Sequence, residues 1–167
     1  MSVNLLAAGI NKFNEQDYSG AIADLELLNL SELTIEQVKM RNIRLLQCYI
    51  KTNRLEDAQY LCTTNPVDDG LFRLLESVLA LQQERLDDAL DAARSARSET
   101  SLYDTTLTRE ASFQIASILH SRYLLRPNRK NLEKSLNSWE EYISSFCSGR
   151  RYSKECREAA ERVAMLQ

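Results

Sequence analysis

The chain has 167 residues, 44% of them hydrophobic and 27% charged, with a formal charge of -3 at pH 7. That size suits one domain with a real core, and the acidic balance excludes a global field drawing the chain to nucleic acid or anionic lipid. Only four Gly and two Pro leave few places for tight hairpins, so long helices are predicted and the fold class is all-α.

The first helix is predicted from about Val3 to Asn14, with Leu5, Leu6, Ile10 and Phe13 as its apolar residues. Residues 1–6 show no basic segment and no long apolar run, so they do not read as a secretory signal. A second helix follows Asp17 through Ile22, Leu25, Leu27, Leu28 and Leu30. Thr34 followed by Gln37 is a capping-box pattern that opens a third helix through Val38, Leu45, Leu46, Tyr49 and Ile50, stopped at Asn53.

A fourth helix runs from Leu55 to Thr63 and ends before Asn65-Pro66, because proline lacks an N–H and pushes its predecessor out of helical geometry. The fifth, roughly Asp69 to Gln82, carries Leu71, Phe72, Leu74, Leu75, Val78, Leu79 and Leu81, and so is expected to lie between neighbours. The sixth spans Leu86 to about Arg97, the seventh Thr105 to Leu125, and the eighth Lys130 to Phe146 with Leu132, Leu136, Trp139 and Tyr142. A polar last helix, Ser153 to Leu166, is expected to cover the final apolar face. No segment is apolar enough to cross a membrane, and one domain over residues 1–167 is expected.

One phrase recurs along this order: a polar turn residue, a Tyr or Leu, two mostly polar residues and a small residue. It reads Gln16-Asp17-Tyr18-Ser19-Gly20-Ala21, Asn53-Arg54-Leu55-Glu56-Asp57-Ala58, Glu84-Arg85-Leu86-Asp87-Asp88-Ala89 and Asn131-Leu132-Glu133-Lys134-Ser135. The small residues allow two helices to cross closely, while Tyr18, Leu55, Leu86 and Leu132 plug the turn. Spacings of this order mark arrays of helical hairpins, which bury their core by stacking and offer a groove.

Together with Leu5, Ala8-Gly9, Phe13, Leu25 and Leu28 in the first repeat, Leu45, Tyr49 and Cys62 in the second, Ala93 and Ala96 in the third, and Trp139 and Tyr142 in the fourth, this pattern resembles the tetratricopeptide repeat family. The resemblance covers nearly the whole chain, with repeats at about 3–30, 34–65, 68–98 and 104–147 and a capping helix at 152–166. The chain departs from the family where its usual inter-repeat proline is missing, where Pro66 comes early, and where the seventh helix is long. The resemblance implies a right-handed α-α superhelix of about four hairpins. It also implies a non-enzymatic scaffold that binds a peptide or helix of a partner protein in a concave groove lined by the first helix of each hairpin. The positions implied for that groove are Leu6, Ile10, Phe13, Arg44, Gln47, Lys51, Val78 and Gln82. Leu6 and Ile10 stand where some members carry the Lys and Asn that hold a partner's terminal carboxylate, so that clamp is not expected. The alternative is a structural or regulatory module belonging to a larger bacterial protein, an envelope-assembly factor or a signalling kinase.

Catalytic and metal constellations are absent from the sequence. The single His, His120, lies between Leu119 and Ser121 without carboxylate or thiolate partners at helical spacing, and reads as a hydrogen-bonded helix residue. No nucleophile elbow, zinc-protease motif or phosphate-cradling Gly-rich loop occurs, so no enzyme, metal or cofactor is expected. Glu84, Asp87, Asp88 and Asp91 interleave with Arg85, Arg94 and Arg97 as a self-paired helix face. Arg126, Arg129, Lys130 and Lys134 lie at one end of the eighth helix, and Arg150, Arg151 and Lys154 at the other, so they make no single patch and no nucleic-acid role is expected. Arg41, Arg44 and Lys51 are assigned to one stripe of the third helix, read first as solvated surface and, in the family's geometry, partly as groove.

Cys48, Cys62, Cys147 and Cys156 lack metal-site spacing. Reduced thiols in a cytoplasmic protein are the expectation. A bridge between Cys147 and Cys156, across a Gly-Arg-Arg turn, is the oxidising-compartment alternative, which would suit a periplasmic piece of an exported protein.

Overall fold

The computed structural model describes residues 2–99, 105–148 and 153–167. Among them lie nine α-helices: α1 (Ser2–Asn14), α2 (Tyr18–Glu26), α3 (Ile35–Lys51), α4 (Leu55–Thr64), α5 (Gly70–Gln82), α6 (Leu86–Glu99), α7 (Thr105–Leu125), α8 (Arg129–Phe146) and α9 (Lys154–Leu166). A single 3-10 turn, Leu30–Glu32, sits between α2 and α3. The chain divides into two compact units, Met1–Asp68 with α1–α4 and Asp69–Gln167 with α5–α9. Within each unit every helix packs on the next, and in addition α1 touches α3 and α5 touches α7.

Side-chain caps set most helix starts. The Thr34 hydroxyl accepts from the Gln37 N–H at 3.2 Å while the Gln37 side chain accepts from the Thr34 N–H at 2.9 Å, which completes the predicted capping box. Asp17, Asp69, Asn128 and Ser153 each accept a first-turn N–H at the start of α2, α5, α8 and α9. The second helix is shorter than predicted. It ends at Glu26, Leu27 is 75% exposed, and Asn29 caps the 3-10 turn that contains Leu30.

Three of the four repeated phrases share one backbone solution. Gln16, Asn53 and Glu84 have φ of 65°, 58° and 59°, the left-handed region that reverses a chain at a helix end. In each, the next residue's N–H reaches back five positions: Asp17 to Lys12 O, Arg54 to Tyr49 O and Arg85 to Ala80 O, all at 2.8–2.9 Å. The left-handed residue's own N–H reaches back three, to Phe13, Ile50 and Leu81 oxygens. These paired bonds satisfy carbonyls that a helix end leaves open, and they offset the strain of a non-glycine residue in that region. Five positions on in each case, Ala21, Ala58 and Ala89 are fully buried. The fourth phrase departs. Ser135 is likewise buried, but Asn131 lies inside α8 and the cap is Asn128, so the chain turns at Pro127 and not at Asn131.

In the first unit Gly9 sets how closely α1 and α2 approach, since a Cβ there would fall 2.8 Å from Leu25 side-chain atoms. A polar network ties the other helices. Arg41 is only 8% exposed; its Nε donates to the Leu25 carbonyl at 2.9 Å and its Nη1 to Asn42 Oδ1 at 2.9 Å. Asn42 Nδ2 in turn donates to the Asn65 carbonyl at 3.3 Å. Arg41 therefore leaves the surface stripe to which its spacing assigns it, because its cation closes the carbonyl end of α2. Tyr49 Oη donates to Glu26 Oε1 at 2.7 Å, and the Arg54 guanidinium lies 4.9 Å over the Tyr49 ring.

In the second unit Ala89, Ala93 and Ala96 present one small-residue seam on α6 against Ala80 and Leu74 of α5 and Ile115, Ile118 and Ala111 of α7. Ser77 Oγ donates to the Ala89 carbonyl at 2.7 Å in the same crossing. Trp139 and Tyr142 of α8, each 1% exposed, pack in one cluster with Ala116 of α7 and with Cys156 and Ala159 of α9. Cys147 and Cys156 form a disulfide, with Cα atoms 5.7 Å apart. The expectation of reduced thiols is corrected there, because the end of α8 and the first turn of α9 bring the two side chains together. The turn between them, with Gly149, Arg150 and Arg151, lies outside the described residues, as does the start of the fourth expected repeat at residue 104.

Candidate partner-binding surface

Six of the eight positions assigned to a groove belong to the first unit, on α1 and α3, and the other two, Val78 and Gln82, lie on α5 in the second unit. Leu6 is 5% exposed and belongs to the core. Ile10, Phe13, Arg44 and Gln47 are half-buried and Lys51 is exposed; in the second unit Val78 is half-buried and Gln82 exposed.

The α1–α3 contact assembles a defined cluster from these residues. The Arg44 guanidinium carbon sits 4.7 Å from the centroid of the Phe13 ring, a cation–π contact. Tyr18 meets the same ring edge-on, with centroids 5.7 Å apart. Arg44 Nη1 donates to Gln47 Oε1 at 2.9 Å, and Lys51 follows Gln47 by one helical turn. Phe13 is thus held by aromatic and cationic neighbours while part of it faces solvent. Met40, one turn before Arg44 and 46% exposed, extends the face. Its i, i+4 spacing to Arg44 was the signal for it in the sequence, and the groove assignment omits it.

Elsewhere the geometry speaks for structure. His120 Nδ1 is 3.4 Å from Ser135 Oγ and Nε2 is 3.5 Å from Arg162 Nη1. Arginine can only donate, so Nε2 accepts and the ring proton sits on Nδ1. Burial first, and then the Arg162 charge, hold its pKa below the usual histidine value. Burial pushes the Cys48 thiol up to about 11, so it is a small hydrophobe with little nucleophilic thiolate at neutral pH. A shallow cleft of about 240 Å³ in the second unit is lined by Arg97, Thr108, Ser112, Ser138 and Glu141 among others. No group of three or more His, Cys, Asp or Glu suited to a metal ion occurs among the described residues. No described helix is long and apolar enough to cross a membrane.

The chain matches no family model, no curated protein and no solved structure. What the α1–α3 face does must therefore be read from its own chemistry. It combines the Phe13 ring, Ile10, the Gln47 amide and the two cations Arg44 and Lys51.

Proposed function

We propose that this protein is a tetratricopeptide-like, non-enzymatic scaffold that binds an extended peptide or a helix of a partner protein. The face concerned is the one lined by the first helices of its hairpins. The observation that carries the reading is the shared turn at Gln16, Asn53 and Glu84, each followed five positions later by a fully buried alanine. Three copies of one turn-and-crossing device are what a stack of hairpins requires, and stacked hairpins present their first helices side by side. The contacts of α1 with α3 and of α5 with α7 support this, since in each case two first helices touch. On this reading the array is a right-handed superhelix and α9 is its closing helix.

Phe13 and Arg44 are the anchors. Binding energy concentrates in a few well-packed aromatic and Arg side chains, so Phe13→Ala combined with Arg44→Ala costs on the order of 2 kcal/mol in partner affinity. Titration of the protein against a peptide array, followed by the same titration with this double variant, tests the reading. Glu56→Ala on α4, a second helix, is the control and binds as the wild type does. An array without saturable binding overturns the scaffold function, and unchanged affinity in the double variant moves the site elsewhere.

A further inference from the structure

The two helices that build the face are almost free of acid. Helix α1 contains no Asp or Glu, and α3 contains one, Glu36 in its first turn. From Gln37 to Leu55 the chain carries Lys39, Arg41, Arg44, Lys51 and Arg54 and no acid at all, although the whole protein is at -3. Apart from Glu36, the acids on the α-helices of this unit sit on the second helices, Asp24 and Glu26 on α2 and Glu56 and Asp57 on α4, while Glu15, Asp17, Glu32 and Asp68 lie outside the α-helices. Asp24, Glu26 and Asp57 are used internally: Lys12 pairs with Asp24 at 2.8 Å, and Arg54 with Asp57 at 2.6 Å and Glu26 at 3.3 Å. Charge is therefore segregated between first and second helices.

Arg44 and Lys51 stand apart from those pairs. Neither has a carboxylate partner among the described residues; Arg44 is held by the Phe13 ring and Gln47, which orient the guanidinium without neutralising it. An oriented cation beside a half-buried aromatic ring lacks only its counter-charge.

We infer that the partner is an acidic segment, with two side-chain carboxylates about 10 Å apart that meet Arg44 and Lys51 and an apolar side chain between them that lies on Phe13 and Ile10. The spacing follows from the seven-position separation of the two cations along the helix, about 10 Å along the axis. A peptide in the polyproline II conformation matches it with carboxylates three residues apart, which fall on one face about 9 Å from each other. This assignment rests on the scaffold reading and adds the chemical class of the partner.

The test uses two fluorescein-labelled, C-terminally amidated peptides, Gly-Ser-Glu-Leu-Leu-Glu-Ser-Gly and its double Glu-to-Gln counterpart, titrated with the full chain by fluorescence anisotropy at low and high salt. Expected is binding of the acidic peptide that weakens with salt, and at least about tenfold weaker binding of the Gln peptide. The Arg44→Gln, Lys51→Gln double variant, with helix content checked by circular dichroism, loses the preference. Lys51→Gln alone, at an exposed position, loses part of it. Equal binding of both peptides, or a preference that survives the double variant, overturns the acidic-partner assignment while leaving peptide docking in place. No binding of either peptide overturns it too, and a peptide array that is also blank removes the scaffold reading with it.

Discussion

Gly9 and His120 show how much a single side chain decides. Alanine is the better helix former by up to about 1 kcal/mol, so Gly9→Ala stabilises an isolated α1. In the protein a Cβ at this position meets the fully buried Leu25 side chain at 2.8 Å, and such overpacking costs roughly 1–3 kcal/mol. The overlap wins, and Gly9→Ala lowers the urea midpoint; a raised midpoint shows that α1 and α2 are less close than described. His120 gives a pH dependence with a definite sign. Its folded pKa lies below the ordinary 6.5, so between the two values the unfolded chain holds more protons. The folded state is fully favoured above pH 6.5 and loses stability as the pH falls below it. Charging the ring sets it against Arg162 of α9, which Glu158 neutralises only in part at 3.4 Å, and beside the buried Ser135 and Trp139 of α8. His120→Gln removes this slope, so the stability difference between wild type and variant changes on passing below pH 6.5 and is flat above it. An unchanged slope in the variant places the acid-sensitive group elsewhere.

At the scale of elements, α9 is the informative helix. It packs on α8, buries only small residues, Cys156 and Ala159, and is tied to the end of α8 by the disulfide. Closing a loop of nine residues' separation contributes about 2–3 kcal/mol by restricting the unfolded chain. Reduction, or Cys147→Ser, therefore loosens α9 before the rest of its unit. Trp139 is the single tryptophan of the chain, lies beneath α9 and is 1% exposed, so its emission shifts to the red in the reduced protein at denaturant concentrations where helix content is still high. Coincident loss of both signals shows that packing alone holds α9.

Across the whole molecule, the repeated crossing makes one prediction in three places. Ala21→Leu, Ala58→Leu and Ala89→Leu each place three extra carbons at a fully buried helix crossing and each cost roughly 1–3 kcal/mol. The exposed Ala23→Leu and Ala160→Leu stay within about 0.5 kcal/mol of wild type. Thermal denaturation of the five variants checks the register of all three hairpins at once, and a harmless leucine at any of the three buried positions breaks the repeat there.

Helix existence and most helix bounds were determined by the sequence alone, because they depend on groups within a few residues of each other. The Thr34–Gln37 capping box, the stop at Pro66 and the turns at Gln16, Asn53 and Glu84 are all local. The exceptions are also local in cause: Asn29 caps a 3-10 turn where Leu27 and Leu30 suggested more helix, and Asn128 caps α8 where the repeated phrase placed its turn residue at Asn131. Periodicity places residues on a helix face, but it does not say which neighbour that face meets. Arg41 and Arg44 are three positions apart and look equivalent in sequence. Only the position of the Leu25 carbonyl makes the first a core residue, and only the approach of Phe13 leaves the second at the surface. The Cys147–Cys156 pair, nine residues apart, was visible in the sequence as an alternative and needed the approach of α9 to α8 to decide it. Burial of Leu6 likewise depends on where a second helix lies, a long-range fact that no local pattern contains.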